Sequence, residues 1–348
     1  MDGRTAVPGR LPPEQRCLLL AERGSSRPRL HRPIRLHLRG DPGACADARG
    51  TDRSHRAQGA RRAQRSGADL QPPVLPAASG RQGAVETTRA VLSASDLGSW
   101  ALSQFATVAE VKAALADQPI VLEALALLGG VVSPFHYVVH DAAGASLVIE
   151  FDNGKMTLYD NPVGVMTNGP NFSWHLTNLD NYTHLSNVDR TTASFGDYKA
   201  IQPDSGIATA GLPASGTSVG RFVRAAYYAQ FTERAPSADE AVQTLAHVMN
   251  NFDRPRGVTI DYPQGGAHVS TGLEVAGLAD DTATLYATEF TSWTNLSDLA
   301  RKRFFIRAYK SLNYTGFDLA ALASLTAPKA VALAHLDGAD GTARLLNM

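Results

Sequence analysis

Apolar and polar residues follow a strand-like pattern over two neighbouring stretches in the middle of the chain, 135–140 and 146–151. A turn containing Gly144 joins them, and an Asn-Gly pair at 153–154 leads into a third stretch, 156–159. Asn-Gly between strand-like stretches is a strong hairpin signal, because both residues tolerate positive φ. The pattern therefore predicts an antiparallel meander of three strands.

Helical periodicity and capping residues mark helices on both sides of this meander. Thr107 with Glu110, and Ser237 with Glu240, have the spacing of capping boxes. Helices are predicted at 96–105, 108–116, 174–182, 220–231, 241–250 and 295–300, and further strands at 163–168, 258–261, 272–278, 282–290 and 303–309. Residues 186–217 are predicted to be rich in loops. Helices alternating with antiparallel strands predict an α+β fold in which helices cover antiparallel sheets.

The beginning of the chain differs in composition from the rest. Residues 1–85 contain 16 Arg and seven Asp or Glu residues, and no Phe, Tyr, Trp, Lys or Asn precedes Trp100. Aromatic and β-branched residues supply most core burial and strand preference. We therefore divide the chain into an aberrant segment rich in Arg, Ala, Gly and Pro, 1–90, and a folded domain, 91–348.

Three interpretations of the aberrant segment stay open. It can be the wrong-frame translation of a GC-rich coding region, because such codons give Arg, Ala, Gly and Pro in any frame. It can also be a solvated disordered tail, or a basic arm that binds nucleic acid or an acidic surface. We favour the first. We expect no nucleic-acid partner, because no aromatic residue lies among the Arg residues to stack on a base.

Cysteine usage and hydropathy exclude further classes. Cys17 and Cys45 are the only cysteines, and no Cys-x-x-Cys pair occurs, so neither a zinc site nor a redox motif is indicated. No run of about 18 apolar residues predicts a transmembrane helix, and no apolar stretch marks a signal peptide. The chain as written is therefore expected in the cytoplasm, and the periplasm stays open for an intact relative.

Several other residues with chemical potential are explained structurally. His136, His140, His175 and His184 have no carboxylate at ligand spacing, so we expect no metal. The remaining residues are interpreted as follows: Phe172 and Trp174 in the core, Asp141 and Asp152 in turns, and Arg224 as a structural helix residue.

Five segments follow one another in an order and at spacings typical of one enzyme family. They read HDAAGASLVIE at 140–150, YDNPVGVMTNGP at 159–170, NFSWHLTNLDNY at 171–182, GLP at 211–213 and SVGRFVRAAY at 218–227. Together they resemble the choloylglycine hydrolase and penicillin V acylase family. The likeness extends from about residue 92 to about residue 314.

The resemblance implies an αββα sandwich, in which two antiparallel sheets lie between helical layers. It implies hydrolysis of a small-molecule amide without a cofactor, by an N-terminal Cys whose free α-amino group acts as base, and a homotetramer. It also assigns two catalytic residues. Asn168 would donate its amide to the developing oxyanion, and Arg221 would supply a permanent charge that favours the thiolate.

The nucleophile is where this sequence departs from the family pattern. The family's Cys is followed by Thr or Ser and then Arg, whereas Cys17 precedes three Leu residues and Cys45 precedes Ala-Asp-Ala. Two hypotheses therefore stay open. The chain is an amide hydrolase that is inactive as written, or it is a non-catalytic remnant or binding protein with a basic arm. Under the first, Asn168 and Arg221 must lie in one site.

Overall fold

The protein combines α-helices with mainly antiparallel sheets. The computed structural model describes residues 91–125, 131–132, 135–261, 287–326, 329–332 and 335–348, and the backbone of two strands at 33–36 and 68–71. The helices in these residues are α1 Leu97–Gln104, α2 Val108–Asp117, α3 Phe172–Leu179, α4 Ser218–Phe231, α5 Ala238–Asn250 and α6 Gly341–Leu346. Short 3-10 helices lie at Ala94–Asp96, Asp180–Tyr182, Ile207–Thr209 and Ala321–Ser324. The predicted α+β class is confirmed.

Strands alternate with these helices along the described chain. They are β1 Pro33–Leu36, β2 Ala68–Gln71, β3 Leu92–Ser93, β4 Ile120–Val121, β5 Ala124–Leu125, β6 Val131–Val132, β7 Tyr137–Asp141, β8 Ser146–Asp152, β9 Lys155–Asp160, β10 Thr192–Phe195, β11 Tyr198–Ile201, β12 Ile260–Asp261, β13 Ala287–Thr288, β14 Trp293–Asp298, β15 Arg303–Ala308, β16 Thr315–Asp318 and β17 Lys329–Ala332. All described pairs are antiparallel except β3 with β4.

The predicted meander supplies three strands of a four-stranded sheet with the order β2-β7-β8-β9. Ile149 of β8 lies opposite Tyr137 on one side and Leu158 on the other. The tight turn between β8 and β9 has φ values of 48° at Asn153 and 77° at Gly154. These positive values explain why an Asn-Gly pair stands here, and the predicted meander is confirmed.

Successive residues of β8 enter two different cores, because neighbouring side chains of a strand point to opposite faces. Leu147, Ile149 and Phe151 join the core formed with α1 and α2. Val148 joins a second core, which includes Phe172 of α3 and Phe222 of α4. Helices thus cover both faces of this sheet, and β8 is buried on both.

The cap signals placed most helices correctly. Thr107 accepts from the Glu110 N–H, and the Glu110 carboxylate accepts from the Thr107 N–H, so the predicted capping box opens α2. Ser237 accepts from the Glu240 N–H at the start of α5. The helices predicted at 96–105, 174–182 and 220–231 correspond to α1, to α3 with the 3-10 turn after it, and to α4.

The strand predicted at 163–168 is wrong, because a side chain takes over the backbone hydrogen bonds there. Asn161 Oδ1 accepts from the N–H groups of Val163 and Gly164, at 3.2 and 2.9 Å. Gly164 has a φ of 68°, which a strand does not adopt. Residues 161–171 therefore form an irregular connection, and Val165 and Met166 still enter the second core.

The helix predicted at 295–300 is also wrong, since β14 occupies Trp293–Asp298. Asn295 and Ser297 are buried there at 1% and 9% exposure. Polar residues at buried positions hid the alternation that would have indicated a strand. The strand predicted at 303–309 is confirmed as β15, which pairs with both β14 and β16.

The region 186–217 and the strands predicted between residues 258 and 290 agree with the structure only in part. The loop-rich region 186–217 contains a hairpin, β10 and β11, that was not predicted. Only parts of two predicted strands are found in the described residues, as β12 and β13, and the strand at 272–278 lies outside them.

Two strands not predicted from the sequence come from the aberrant segment. The backbone of β1 pairs with β17, and that of β2 pairs with β7. Cys17 and Cys45 lie outside the described residues, and the division at residue 90 stays a prediction. None of the described helices is long and apolar enough to cross a bilayer.

Candidate active site

Asn168 lies in the irregular connection between β9 and α3, and its main chain is fixed by two helices. Its carbonyl oxygen accepts from His175 Nε2 of α3 at 2.9 Å and from Ser218 Oγ of α4 at 2.6 Å. The neighbouring Thr167 hydroxyl also bonds to Ser218. A carbonyl has two lone pairs, and both are used here, so the main chain at Asn168 has little freedom.

Arg221 meets this residue from the first turn of α4. Its Nη2 donates to Asn168 Oδ1 at 2.7 Å, and its Nε donates to the Gly216 carbonyl at 3.2 Å. The side chain is 4% exposed. The two residues singled out in the sequence are 53 positions apart, and the structure brings them into direct contact.

The contact with Arg221 also sets the orientation of the Asn168 amide. A guanidinium only donates hydrogen bonds, so the amide oxygen faces it and the Nδ2 hydrogens point elsewhere. Within the described residues, no acceptor pairs with Asn168 Nδ2, and the residue is half-buried. The site therefore holds a neutral N–H donor beside a permanent positive charge, an arrangement suited to an oxygen that gains negative charge.

The loop before α4 packs closely against the helix that carries Arg221. A Cβ added at Gly220 would lie 2.6 Å from Ser215 Oγ and 2.7 Å from the Ser215 carbonyl oxygen. Arg224 Nη1 donates to the carbonyls of Pro213 and Ser215, at 2.6 and 2.7 Å. Arg224 thus has the structural contacts expected of it, and it holds the loop whose Gly216 contacts Arg221.

His175 is a site residue whose role the sequence did not reveal. It is fully buried, and its ring stacks on Phe222 at a centroid distance of 4.4 Å. Burial is the main influence that lowers the pKa of His175, and the hydrogen bond to Asn168 opposes it. A neutral imidazole follows, with its hydrogen on Nε2, because the Asn168 carbonyl can only accept.

Two more buried polar side chains lie beneath the connection. His136 Nε2 bonds to the Thr167 carbonyl at 2.8 Å, and Glu150 Oε1 accepts from the Phe172 N–H at 2.8 Å. His136 Nδ1 and Glu150 Oε1 are 3.2 Å apart, and both side chains are at most 1% exposed. Sequence reasoning missed Glu150, although a charged residue inside an apolar strand was a signal.

The structure corrects one core assignment and explains others. Phe172 is fully buried as expected, but Trp174 is 44% exposed, so its placement in the core is wrong. Trp174 lies two helical positions after Phe172, a rotation of about 200° around the helix axis. Its side chain therefore lies on the outer face of α3. Asp141 accepts from Ala145 N in its turn and also from Val108 N at the start of α2.

The histidines are not gathered around a metal site in the described part of the chain. No group of three or more His, Cys, Asp or Glu side chains there is arranged to hold a metal ion. Burial lowers the pKa of His140 to about 3, so this residue is a neutral core histidine.

The chain also matches a known enzyme family in direct sequence comparison. A sequence model described as linear amide C-N hydrolases, choloylglycine hydrolase family, matches residues 77–268, more than half of the 348-residue chain. The chain belongs to the choloylglycine hydrolase family. The resemblance found in the sequence is confirmed, and the match to the family model begins before residue 92 and ends before residue 314.

Individual members of the choloylglycine hydrolase family agree with this placement. The conjugated bile acid hydrolase of Lactobacillus acidophilus is 39% identical over 128 residues, which are 37% of this chain and 40% of that protein. The chain spans about half the length of the curated relatives it matches.

Solved structures show the same fold. A variant of the conjugated bile acid hydrolase from Clostridium perfringens has a TM-score of 0.61 at 22% identity, over 77% of this chain and 75% of that one. Penicillin V acylase from Agrobacterium tumefaciens has a TM-score of 0.57 at 19% identity, over 80% and 74%.

Proposed function

We propose that Asn168 and Arg221 form the oxyanion side of a site that hydrolyses linear amide bonds in small molecules. The observation that carries the proposal is the 2.7 Å hydrogen bond from Arg221 Nη2 to Asn168 Oδ1. It leaves the amide N–H donors of Asn168 directed away from the guanidinium, while α3 and α4 fix the main chain. Family membership supplies the reaction class.

In this proposal the reaction is acyl transfer to a Cys thiolate. The sulfur adds to the amide carbonyl carbon, and the carbonyl oxygen becomes an oxyanion, to which Asn168 Nδ2 donates while Arg221 supplies positive charge. The C–N bond then breaks and the amine leaves with a proton. Water next adds to the thioester, and the acid is released as the thiolate re-forms.

The proposed substrate is a bulky acyl group on a small polar amine. Conjugated bile acids, phenoxyacetyl penicillins and N-acyl homoserine lactones all have this form, and the named relatives are a conjugated bile acid hydrolase and a penicillin V acylase. We favour the acylase type slightly. Assembly as a homotetramer belongs to the same proposal.

The αββα sandwich is likewise proposed as the finer description of the fold. It is supported by α1 and α2 on one face of the meander sheet, and by Leu296 of β14, which shares the second core with α3, α4 and α5. The folded domain is proposed to occupy 91–348, with 1–90 as an aberrant segment.

We also infer that the chain as written does not turn over, because neither Cys17 nor Cys45 has the Thr/Ser-Arg sequence after it. The test incubates the full purified chain with penicillin V and with glycocholate, with and without a thiol-blocking reagent. We expect no hydrolysis of either compound. Hydrolysis that the reagent abolishes would show that one of these cysteines is a working nucleophile.

The upstream nucleotide sequence then separates an interrupted hydrolase from a non-catalytic protein. Read in the other two frames before codon 90, it should encode a Cys followed by Thr or Ser and Arg. A chain with that frame restored should hydrolyse one of the two substrates. If no frame encodes such a Cys, the non-catalytic alternative replaces the hydrolase.

The role of Asn168 is tested in the frame-restored chain with Asn168→Asp. The carboxylate still accepts from Arg221, but the N–H donor is gone, so kcat should fall by about 10²–10³-fold. Asn181→Asp is the matched control, because Asn181 is an exposed amide shortly after α3 and should retain activity. Equal activity of Asn168→Asp and the control would remove Asn168 from the mechanism.

A further inference from the structure

A buried pair of ionisable side chains supports the connection that carries Asn168. His136 precedes β7 and Glu150 lies in β8, and their side chains are 0% and 1% exposed. Glu150 follows the alternation of Val148, so it points into the second core, between the sheet and α3. Charged groups are costly to place in such a core unless they are paired and hydrogen-bonded.

One hydrogen of this pair is fixed by its hydrogen-bond partner. The Thr167 carbonyl can only accept, so His136 Nε2 carries a hydrogen. The 3.2 Å contact between His136 Nδ1 and Glu150 Oε1 lacks the alignment of a hydrogen bond. Each side chain is instead held through its own hydrogen bond, His136 to the Thr167 carbonyl and Glu150 to the Phe172 N–H.

The pair holds the connection on both sides of residues 168–171. His136 holds the Thr167 carbonyl, immediately before Asn168. Glu150 holds the Phe172 N–H, the first of α3. That N–H is not capped locally, because the N-cap residue Asn171 makes no side-chain cap bond and donates to Asp152 instead.

Stability alone gives little reason for such a pair. Well-packed apolar residues of similar volume often replace buried ion pairs with no loss of stability, or with a gain. Glu150 Oε2 has no hydrogen-bond partner among the described residues, so the pair is also incompletely satisfied. What it does provide is a fixed position for five residues, 168 to 172, from a sheet buried on both faces.

We propose that His136 and Glu150 are positioning residues. They fix the orientation of the Asn168 side-chain amide relative to Arg221 and do not contact the substrate. The catalytic part of this inference rests on the proposed function. The structural part, that the pair fixes the connection, stands separately and is tested separately.

Hydrogen–deuterium exchange of the full chain tests the structural part. Glu150→Ala should speed exchange in peptides covering 165–175 by about tenfold or more, the factor expected when a buried N–H loses its hydrogen-bond partner. Peptides of α2 should keep their protection. Glu150→Gln retains an acceptor for Phe172 N and should return exchange to within about threefold of the parent.

His140→Gln is the matched control, because His140 is a buried histidine of β7 with no hydrogen bond to the connection. It should leave exchange at 165–175 unchanged. Unchanged exchange in Glu150→Ala, or an equal rise in α2, would overturn the proposal, since the pair would then be dispensable or would serve global folding only.

Steady-state kinetics of the frame-restored chain test the catalytic part. Glu150→Ala should lower kcat by about tenfold or more with KM changed less than twofold, and Glu150→Gln should recover most of it. A rise in KM alone would contradict a positioning role. If no frame-restored chain hydrolyses an amide, the proposed function fails, while the exchange result still decides whether the pair fixes the connection.

Discussion

Replacing Gly220 by Ala sets two effects of similar size against each other. Ala is favoured over Gly inside a helix by at most about 1 kcal/mol. The added Cβ, however, would lie 2.6 Å from Ser215 Oγ and 2.7 Å from the Ser215 carbonyl oxygen. Overpacking of this kind costs about 1–3 kcal/mol. The hydroxyl can rotate away, but Arg224 holds the carbonyl at 2.7 Å.

The steric cost should therefore exceed the gain in helix propensity, and Gly220→Ala should destabilise the protein by up to about 2 kcal/mol. Thermal unfolding followed by circular dichroism measures this as a fall of roughly 2–4 °C for each kcal/mol. Ser215→Ala in the same background removes the hydroxyl contact and leaves the backbone contact, so it should restore only part of the loss.

Two results would refute this reasoning. If Gly220→Ala unfolds at the same or a higher temperature than the parent, the loop yields without cost. If Ser215→Ala restores the full stability of Gly220→Ala, the clash lies with the hydroxyl alone, and Arg224 does not hold the loop rigidly.

Three further predictions concern the described elements. Thr107→Ala removes the cap on Glu110 N and should cost about 1 kcal/mol in urea unfolding; Thr107→Ser keeps the hydroxyl and should cost much less. Phe172→Ala should cost about 3–5 kcal/mol by the same measurement, and a loss below 1 kcal/mol would show that α3 does not depend on this ring. Burial lowers the pKa of His140 to about 3 in the folded protein. Below pH 6.5 the unfolded chain therefore takes up a proton that the folded protein does not. The free energy of unfolding should fall by about 1.4 kcal/mol for each pH unit below that value. His140→Gln should flatten that acid slope between pH 6 and 4, and an unchanged slope contradicts the assignment.

Local signals were the part of the fold that the sequence predicted well. A capping box needs only Thr107 and Glu110, and the β8–β9 turn needs only Asn153 and Gly154. Each of these interactions spans at most four residues, so no distant contact can mislead the interpretation. The helices and strands adjoining such signals were therefore correctly placed.

Elements defined by distant contacts could not be predicted in this way. The apolar run at 163–166 suggested a strand. Asn161 instead accepts from the backbone N–H groups of Val163 and Gly164, and Val165 and Met166 pack into a core formed by other elements. In β14, the buried Asn295 breaks the apolar pattern for a reason visible only in three dimensions.

The candidate site shows the same limit. Asn168 and Arg221 were identified through resemblance to a family, since no periodicity links residues 53 positions apart. His175 was passed over because a neutral buried histidine carries no local signature. The charge of Glu150 inside an apolar strand was a signal, but the sequence does not show which backbone group it binds. Their roles depend on the packing of α3 against the meander sheet.

The double burial of β8 restricts how the length of this chain can change. Inserting or deleting one residue within Ser146–Asp152 would exchange the strand's two faces. Glu150 would then enter the apolar layer beside α1 and α2, and Ile149 or Phe151 would face the Phe172 N–H. Changes in length are therefore expected to accumulate around the exposed hairpin at 192–201, where every residue but one is exposed, and to be absent from β8.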